Sequence, residues 1–288
     1  MTLQALQEYV QNGQFLEACR EADHLIASGA VCGPDLAAAH RGAALAHFGL
    51  GRVFAAIEQG EKALAVVARH PNRVCSALLH TELGDYYLAL SDWHKAKAHY
   101  TRALSQTGTG LFGEQRARVY QRLGCACLAR KEYQEALGAF AQAAELFHAW
   151  GQADLLFAVT RLQIRCHLDQ GATAPVADLL ARNEALLGDV HAPAARCQHW
   201  LDVARCLRLA GDLSESLRLC RQVLDAQDAD EATLAAVCAL SGENALDLGR
   251  TAEACKCAEQ AVALSQGISD HTVINQVSHL RRRLSQIG

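Results

Sequence analysis

The chain has 288 residues and a formal charge of −4, with charged residues at 20%. That balance excludes the broad basic surplus of a general nucleic-acid binder. Hydrophobic residues reach 51%, yet no stretch approaches the ~20 uninterrupted apolar residues of a membrane span. Pro is scarce, at 4 in the chain, and alternating β-branched runs are absent. Both point to an all-helical protein. Met1 to Asn12 lacks the positive end and apolar core of a secretory signal. The 12 Cys have no disulfide-framework spacing. Cys125/Cys127 and Cys255/Cys257 are i, i+2 pairs in helical patterns, which sets their side chains roughly 200° apart. Small apolar residues at helix contacts in a reducing cytoplasm account for them.

Turn signals recur along the chain at Gly13-Gln14, Gly51-Arg52, Ser91-Asp92, Lys131-Glu132, Gly171-Ala172, Gly211-Asp212 and Gly249-Arg250, at spacings of 38, 40, 40, 40, 40 and 38 residues. Each sits between two apolar-periodic segments, so the chain divides into helical hairpins at 2–28, 35–69, 73–106, 113–150, 152–187, 194–225 and 231–265. A small residue stands seven positions before most breaks (Ala44, Gly84, Gly124, Ala204, Gly242) and another five positions after (Ala18, Ala56, Ala96, Ala136, Ser216, Ala254). Small residues there let the paired helices approach closely. The fifth hairpin keeps the period and loses these landmarks. A last helix follows the N-cap signal Ser269-Asp270 and runs over 270–286, with Ile274, Val277, Leu280 and Leu284 on one stripe and Arg281, Arg282 and Arg283 on the rest. An amphipathic helix at the end of a repeat array predicts a solubilising cap. The predicted fold is an all-α, right-handed α-solenoid of about seven hairpins plus this cap, one array over 1–288.

The pattern resembles the tetratricopeptide repeat (TPR) family. Leu83-Gly84-Tyr87-Trp93-Ala96-Tyr100-Ala103 matches the family's hairpin nearly throughout, and Leu123-Gly124-Tyr133-Ala136-Phe140-Ala143 matches with Cys127 in place of one aromatic. Gly242-Ala245-Ala254-Ala258-Ala261 keeps the small positions and drops the aromatics. The family's usual period is about 34 residues, so the extra length goes into helices and inter-hairpin loops such as Thr107 to Gly113. Long-period arrays of this kind look like the sensor domains of bacterial transcription and peptide-sensing regulators, and like some scaffold proteins. Such regulators carry a DNA-binding module ahead of the array, for which there is no room before Gln14. The resemblance therefore implies either a chain that stands alone or an excised portion.

No catalytic or metal constellation emerges. His40/His47 and His94/His99 lack the i, i+4 spacing and the glutamate of a helical zinc site, and Gly108-Thr109-Gly110 lacks the Lys-Ser/Thr of a phosphate loop. The chain is expected to be a non-enzyme without cofactors or metal.

In the family, the first helix of each hairpin lines the concave face. Alignment on the small residue puts Arg41 there in the second hairpin, Glu82 and Asp85 in the third, and Arg118, Gln121 and Arg122 in the fourth. Arg161 and Arg165 follow in the fifth, and Gln198, Asp202, Arg205 and Arg208 in the sixth. Arg outnumbers Lys 22 to 5, and its planar fork suits carboxylates. The same arginines could equally pair with neighbours such as Asp202 and Glu114. The family's carboxylate clamp for heat-shock chaperones would fall on Arg41, Leu45, Glu82, Arg118 and Arg122. Both of its asparagines are replaced, so a chaperone clamp is not expected.

These features predict a cytoplasmic, non-catalytic scaffold for a protein or peptide, holding an acidic or carboxylate-bearing segment, with no direct nucleic-acid or membrane partner. The rival readings are a peptide-sensing regulatory domain without its effector module, an enzyme accessory or hydrolytic role, and a homodimeric assembly module using Leu3, Leu6 and Phe15 of the first hairpin.

Overall fold

A computed structural model describes residues 2–106, 113–268 and 271–286. Most of the predicted Thr107–Gly113 loop, with Gly108-Thr109-Gly110, and the Ser269-Asp270 N-cap lie outside the described residues. Among the described residues the chain forms fifteen α-helices and no strand, so the predicted all-α solenoid class holds. It divides into two compact units, Met1–Trp150 and Gly151–Gly288.

The first unit contains α1 (Leu3–Gln11), α2 (Phe15–Ala27), α3 (Gly33–Gly49), α4 (Val53–Arg69), α5 (Arg73–Ala89), α6 (Trp93–Gln106), α7 (Gly113–Ala129) and α8 (Tyr133–Ala149). The second contains α9 (Ala153–Asp169), α10 (Ala174–Leu186), α11 (Ala195–Leu209), α12 (Leu213–Leu224), α13 (Glu231–Asp247), α14 (Thr251–Ser265) and α15 (His271–Ser285).

One turn joins the two helices of every hairpin. Gly13, Gly51, Ser91, Lys131, Gly171, Gly211 and Gly249 all take positive φ, from 57° to 88°. After α3, the Gly51 N–H donates to the Phe48 carbonyl and the Arg52 N–H to the His47 carbonyl, each at 2.9 Å. After α5, Ser91 and Asp92 donate in the same way to Leu88 and Tyr87, again at 2.9 Å. This is the Schellman closure, which satisfies two end carbonyls and needs one left-handed residue. Ser91 and Lys131 carry a Cβ into that conformation at a cost of about 1 kcal/mol, which packing offsets.

The packing is ring against bare backbone. Tyr100 and Phe140 on the second helices are fully buried. A Cβ placed on Gly84 would meet the Tyr100 ring at 2.5 Å, and one on Gly124 the Phe140 ring at 2.4 Å. The small residues five positions after the turns, Ala18, Ala56, Ala96, Ala136, Ser216 and Ala254, are fully buried as well. In the seventh hairpin, where the second helix has only Ala258 to offer, Leu280 of α15 fills the place above Gly242; separately, Leu6 of α1 packs on the bare backbone of Gly42.

Two expectations are corrected here. Leu6 is 1% exposed, because Gly42 leaves room for it, so it offers nothing to a dimer; Leu3 and Phe15 are half-buried. In α15 the buried stripe is Val273, Val277 and Leu280, with Ile274 only half-buried. Arg283 does not solvate the outer face. It turns to Glu243 and to Asp247, at 2.7 Å from the latter.

Gly124→Ala should destabilise the protein by about 1–3 kcal/mol, since the Phe140 ring must leave its rotamer to admit a methyl. Gly138→Ala, at an exposed helical position with nothing within 4 Å, should stabilise by about 0.5–1 kcal/mol. Urea unfolding of the two variants side by side checks both signs.

Candidate functional site

The first helices carry the polar side chains that the sequence singled out, and in the first unit these meet across consecutive hairpins. Arg41 on α3 donates from Nε and Nη2 to Glu82 on α5, at 2.8 and 2.5 Å. Arg122 on α7 donates to Asp85 on α5 at 2.5 Å, and Tyr100 donates its hydroxyl to the same carboxylate at 2.7 Å. Burial pushes the Glu82 and Asp85 carboxyls up, with Arg41 and Arg122 opposing it. Arg118 is exposed and paired within its own helix to Glu114 at 2.9 Å. Gln121 lies half-buried beside Arg122.

The second unit repeats the arrangement. Arg161 on α9 donates to Asp202 on α11 at 2.6 Å and to the Gln198 side chain at 2.7 Å. Gln198 in turn donates to Asp230 at 2.9 Å. Asp202 is 3% exposed and also accepts from Arg205 at 3.3 Å. Arg165 reaches Asp169 only at 4.0 Å. Burial lowers the Arg205 guanidinium, with Asp202 opposing and the cations Arg161 and Arg165 adding to it. Three arginines here face the carboxylates of Asp202 and Asp169, with Asp230 also within electrostatic reach of Arg161. Further along α11, Arg208 donates to Asn244 and reaches Asp247, each at 2.6 Å.

Sequence reasoning named the arginines and missed most of their partners. Arg41 stands ten residues before its turn and Glu82 nine before the next; Arg161 and Asp202 stand in those same two places. Opposite charges one period apart were the available signal. Glu243, Asp247, His279 and Arg283 escaped because their pairing needs α15 on α13.

Of the histidine pairs that the sequence offers, His40 and His99 make helix-to-helix contacts. His40 meets Gln59 at 2.7 Å, and His80 meets His99 at 3.1 Å between Nδ1 atoms, the two contacts sitting at equivalent places in successive hairpins. His94 is exposed and takes no part. All twelve cysteines are free thiols, and burial pushes Cys127, Cys220 and Cys238 up to about 11. Cys127, Glu132 and Glu135 lie close enough together to hold a metal. The Lys97 ammonium already spans the two glutamates, at 2.8 Å from Glu132, and supplies the positive charge there.

The fold defines an α-helical repeat protein in which, within each unit, arginines of one first helix pair with carboxylates of a neighbouring one. Two tetratricopeptide repeat family models match, one over residues 3–73 and the other over 74–148. The chain belongs to the tetratricopeptide repeat family. A comparison with curated protein sequences finds no match. Among solved structures, it is similar to a tetratricopeptide repeat protein from Parabacteroides merdae (11% identity, 97% of each chain, TM-score 0.70). It is also similar to the apo form of RapI (9% identity, 98% of this chain and 84% of that one, TM-score 0.69). A third likeness is to NprR in complex with its cognate peptide NprX (10% identity, 96% and 81%, TM-score 0.65). At these identities the likeness shows the fold. Among the described residues no helix is long and apolar enough to cross a membrane.

Burial holds His99 down to about 4, with His80, Arg102 and Lys95 adding to it. An unfolded His titrates near 6.5, so the folded protein favours the neutral ring. Its contribution is complete above about pH 6.5 and is lost as the pH falls toward the folded value. Unfolding free energy should fall by up to about 2 kcal/mol over that window, allowing for solvent screening. His99→Gln, copying Gln59, should flatten the slope. Urea melts between pH 7 and 4.5 test this, and equal slopes for the two proteins would refute it.

Proposed function

We propose that this chain is a non-catalytic scaffold that binds a protein or peptide, and that its first-helix arginines receive an acidic or carboxylate-bearing segment of that partner. The observation that carries the reading is the Arg161–Arg165–Arg205 group. Asp202 engages Arg161 and Arg205 together, and Arg165, its side chain 35% exposed, reaches a carboxylate only at 4.0 Å. A weakly paired guanidinium gains from a partner carboxylate, which makes charge-assisted bonds to it. In the same unit Gln198 and Arg208 then position the segment rather than anchor its charge, whereas in the first unit Arg41, Arg118 and Arg122 each hold a carboxylate of their own, Glu82, Glu114 and Asp85.

A second reading has the same face enclosing a short peptide as a sensor, and the likeness to NprR with its cognate peptide supports it. The two differ in the partner's size. A pull-down with mass spectrometry identifies the partner, and calorimetry on the purified pair measures it. Arg165→Glu should weaken binding about tenfold or more, since it sets like charges together. Arg118→Glu should change it far less. Unchanged binding in both Arg165→Glu and Arg122→Glu would sink the arginine reading while leaving a binding scaffold.

A further inference from the structure

The C-terminal helix does more than cover the last apolar face. Val273, Val277 and Leu280 seat it on the array, and its polar side chains reach across α13. Arg283 holds Glu243 and Asp247, and His279 holds Glu243 at 2.8 Å. Asp247 is shared, since Arg208 of α11 approaches it at 2.6 Å. Burial opposes ionisation of Asp247, but Arg283 and Arg208 hold its carboxyl below the usual range. Gln276 reaches further and accepts from the Arg205 Nη2 at 3.3 Å, 71 residues away in sequence. Two arginines of α11 therefore connect to α15, one directly and one through Asp247.

Those two connections differ in strength. The route through Asp247 is ionic on both sides. The route through Gln276 is a single long bond from a guanidinium to a neutral amide, and a carboxylate makes roughly twice as strong a bond to the same donor. Arg205 belongs to the arginine group in which a partner carboxylate is proposed to sit, so amide and ligand compete for one guanidinium.

We infer that α15 is coupled to occupancy of this face: a carboxylate arriving at Arg165 and Arg205 displaces Gln276 and loosens the C-terminal helix. The inference rests on the arginine reading above and adds an output to it. Ligand binding would be read at the end of the chain, in the helix that Gln276, His279 and Arg283 tether.

The test uses the full chain and N-acetylated hexaglutamate with a free C-terminus as the probe, with calorimetry for affinity and amide hydrogen exchange for α15. Saturating probe should speed exchange in α15 about threefold or more, while exchange in α13 stays within error. Gln276→Ala removes the competitor and should bind the probe about three- to tenfold tighter, with helix content unchanged by circular dichroism. If the probe binds, and Arg165→Glu weakens it, yet α15 exchange and the Gln276→Ala affinity match wild type, the coupling is wrong and the arginine reading stands. If wild type fails to bind the probe, or Arg165→Glu binds it equally, the arginine reading fails and the coupling falls with it.

Discussion

The structure depends on a small or missing side chain at the centre of most of its hairpins. Where Tyr100 lies on Gly84 and Phe140 on Gly124, a ring occupies the space that a Cβ would take. The contact brings the two helices close enough to share one apolar seam. A fully buried aromatic of this kind contributes about 1.5–3 kcal/mol through area alone. The left-handed turn seven residues further on fixes the approach, because the Schellman bonds leave the chain one direction in which to return. Turn and contact are thus two ends of one device, repeated down the chain.

Once the hairpins are set in register, their first helices lie side by side at a spacing that an arginine can bridge. Arg41 to Glu82 and Arg161 to Asp202 use the same two places in different units. Half-exposed ion pairs contribute little to stability in general. Asp202 is different, since it is buried and removing it would leave guanidiniums without compensation. The first-helix face therefore holds its charge in balance, and the departures from balance are local. Arg165 is the clearest of them.

Much of the fold was legible in the sequence because turns and small residues are local signals. Gly51 or Gly249 announces a left-handed residue by its chemistry alone. Ser91 and Lys131 do not, and only the break in the apolar pattern and the fixed period mark their places. The core of the outer hairpins was harder to read. Ala258 stands where Tyr100 and Phe140 do, and the side chain that fills the resulting space comes from Leu280, on a helix outside the repeat. For the candidate site, side-chain identities were legible but few of the pairings were, Asp202 and Glu114 being the exceptions. An arginine on the inner stripe reads the same whether it faces solvent or a carboxylate one hairpin on. The distance between Arg161 and Asp202 exists only after two helices have packed. Gln276 carried no signal at all, since its contact with Arg205 depends on where α15 crosses α13.

The pairs that span one period also bear on how the array comes apart. A repeat protein opens from its ends, hairpin by hairpin, when neighbours meet only through apolar contact. A buried charge shared between two hairpins changes that, because peeling one away strands its partner in a low-dielectric setting. Arg161 and Asp202 weld the fifth hairpin to the sixth in this sense, while Arg208, Asp247 and Arg283, which are partly exposed, link the sixth to the seventh and to α15 less firmly. The frayed forms of the second unit should thus be few and large, with whole groups of hairpins melting together.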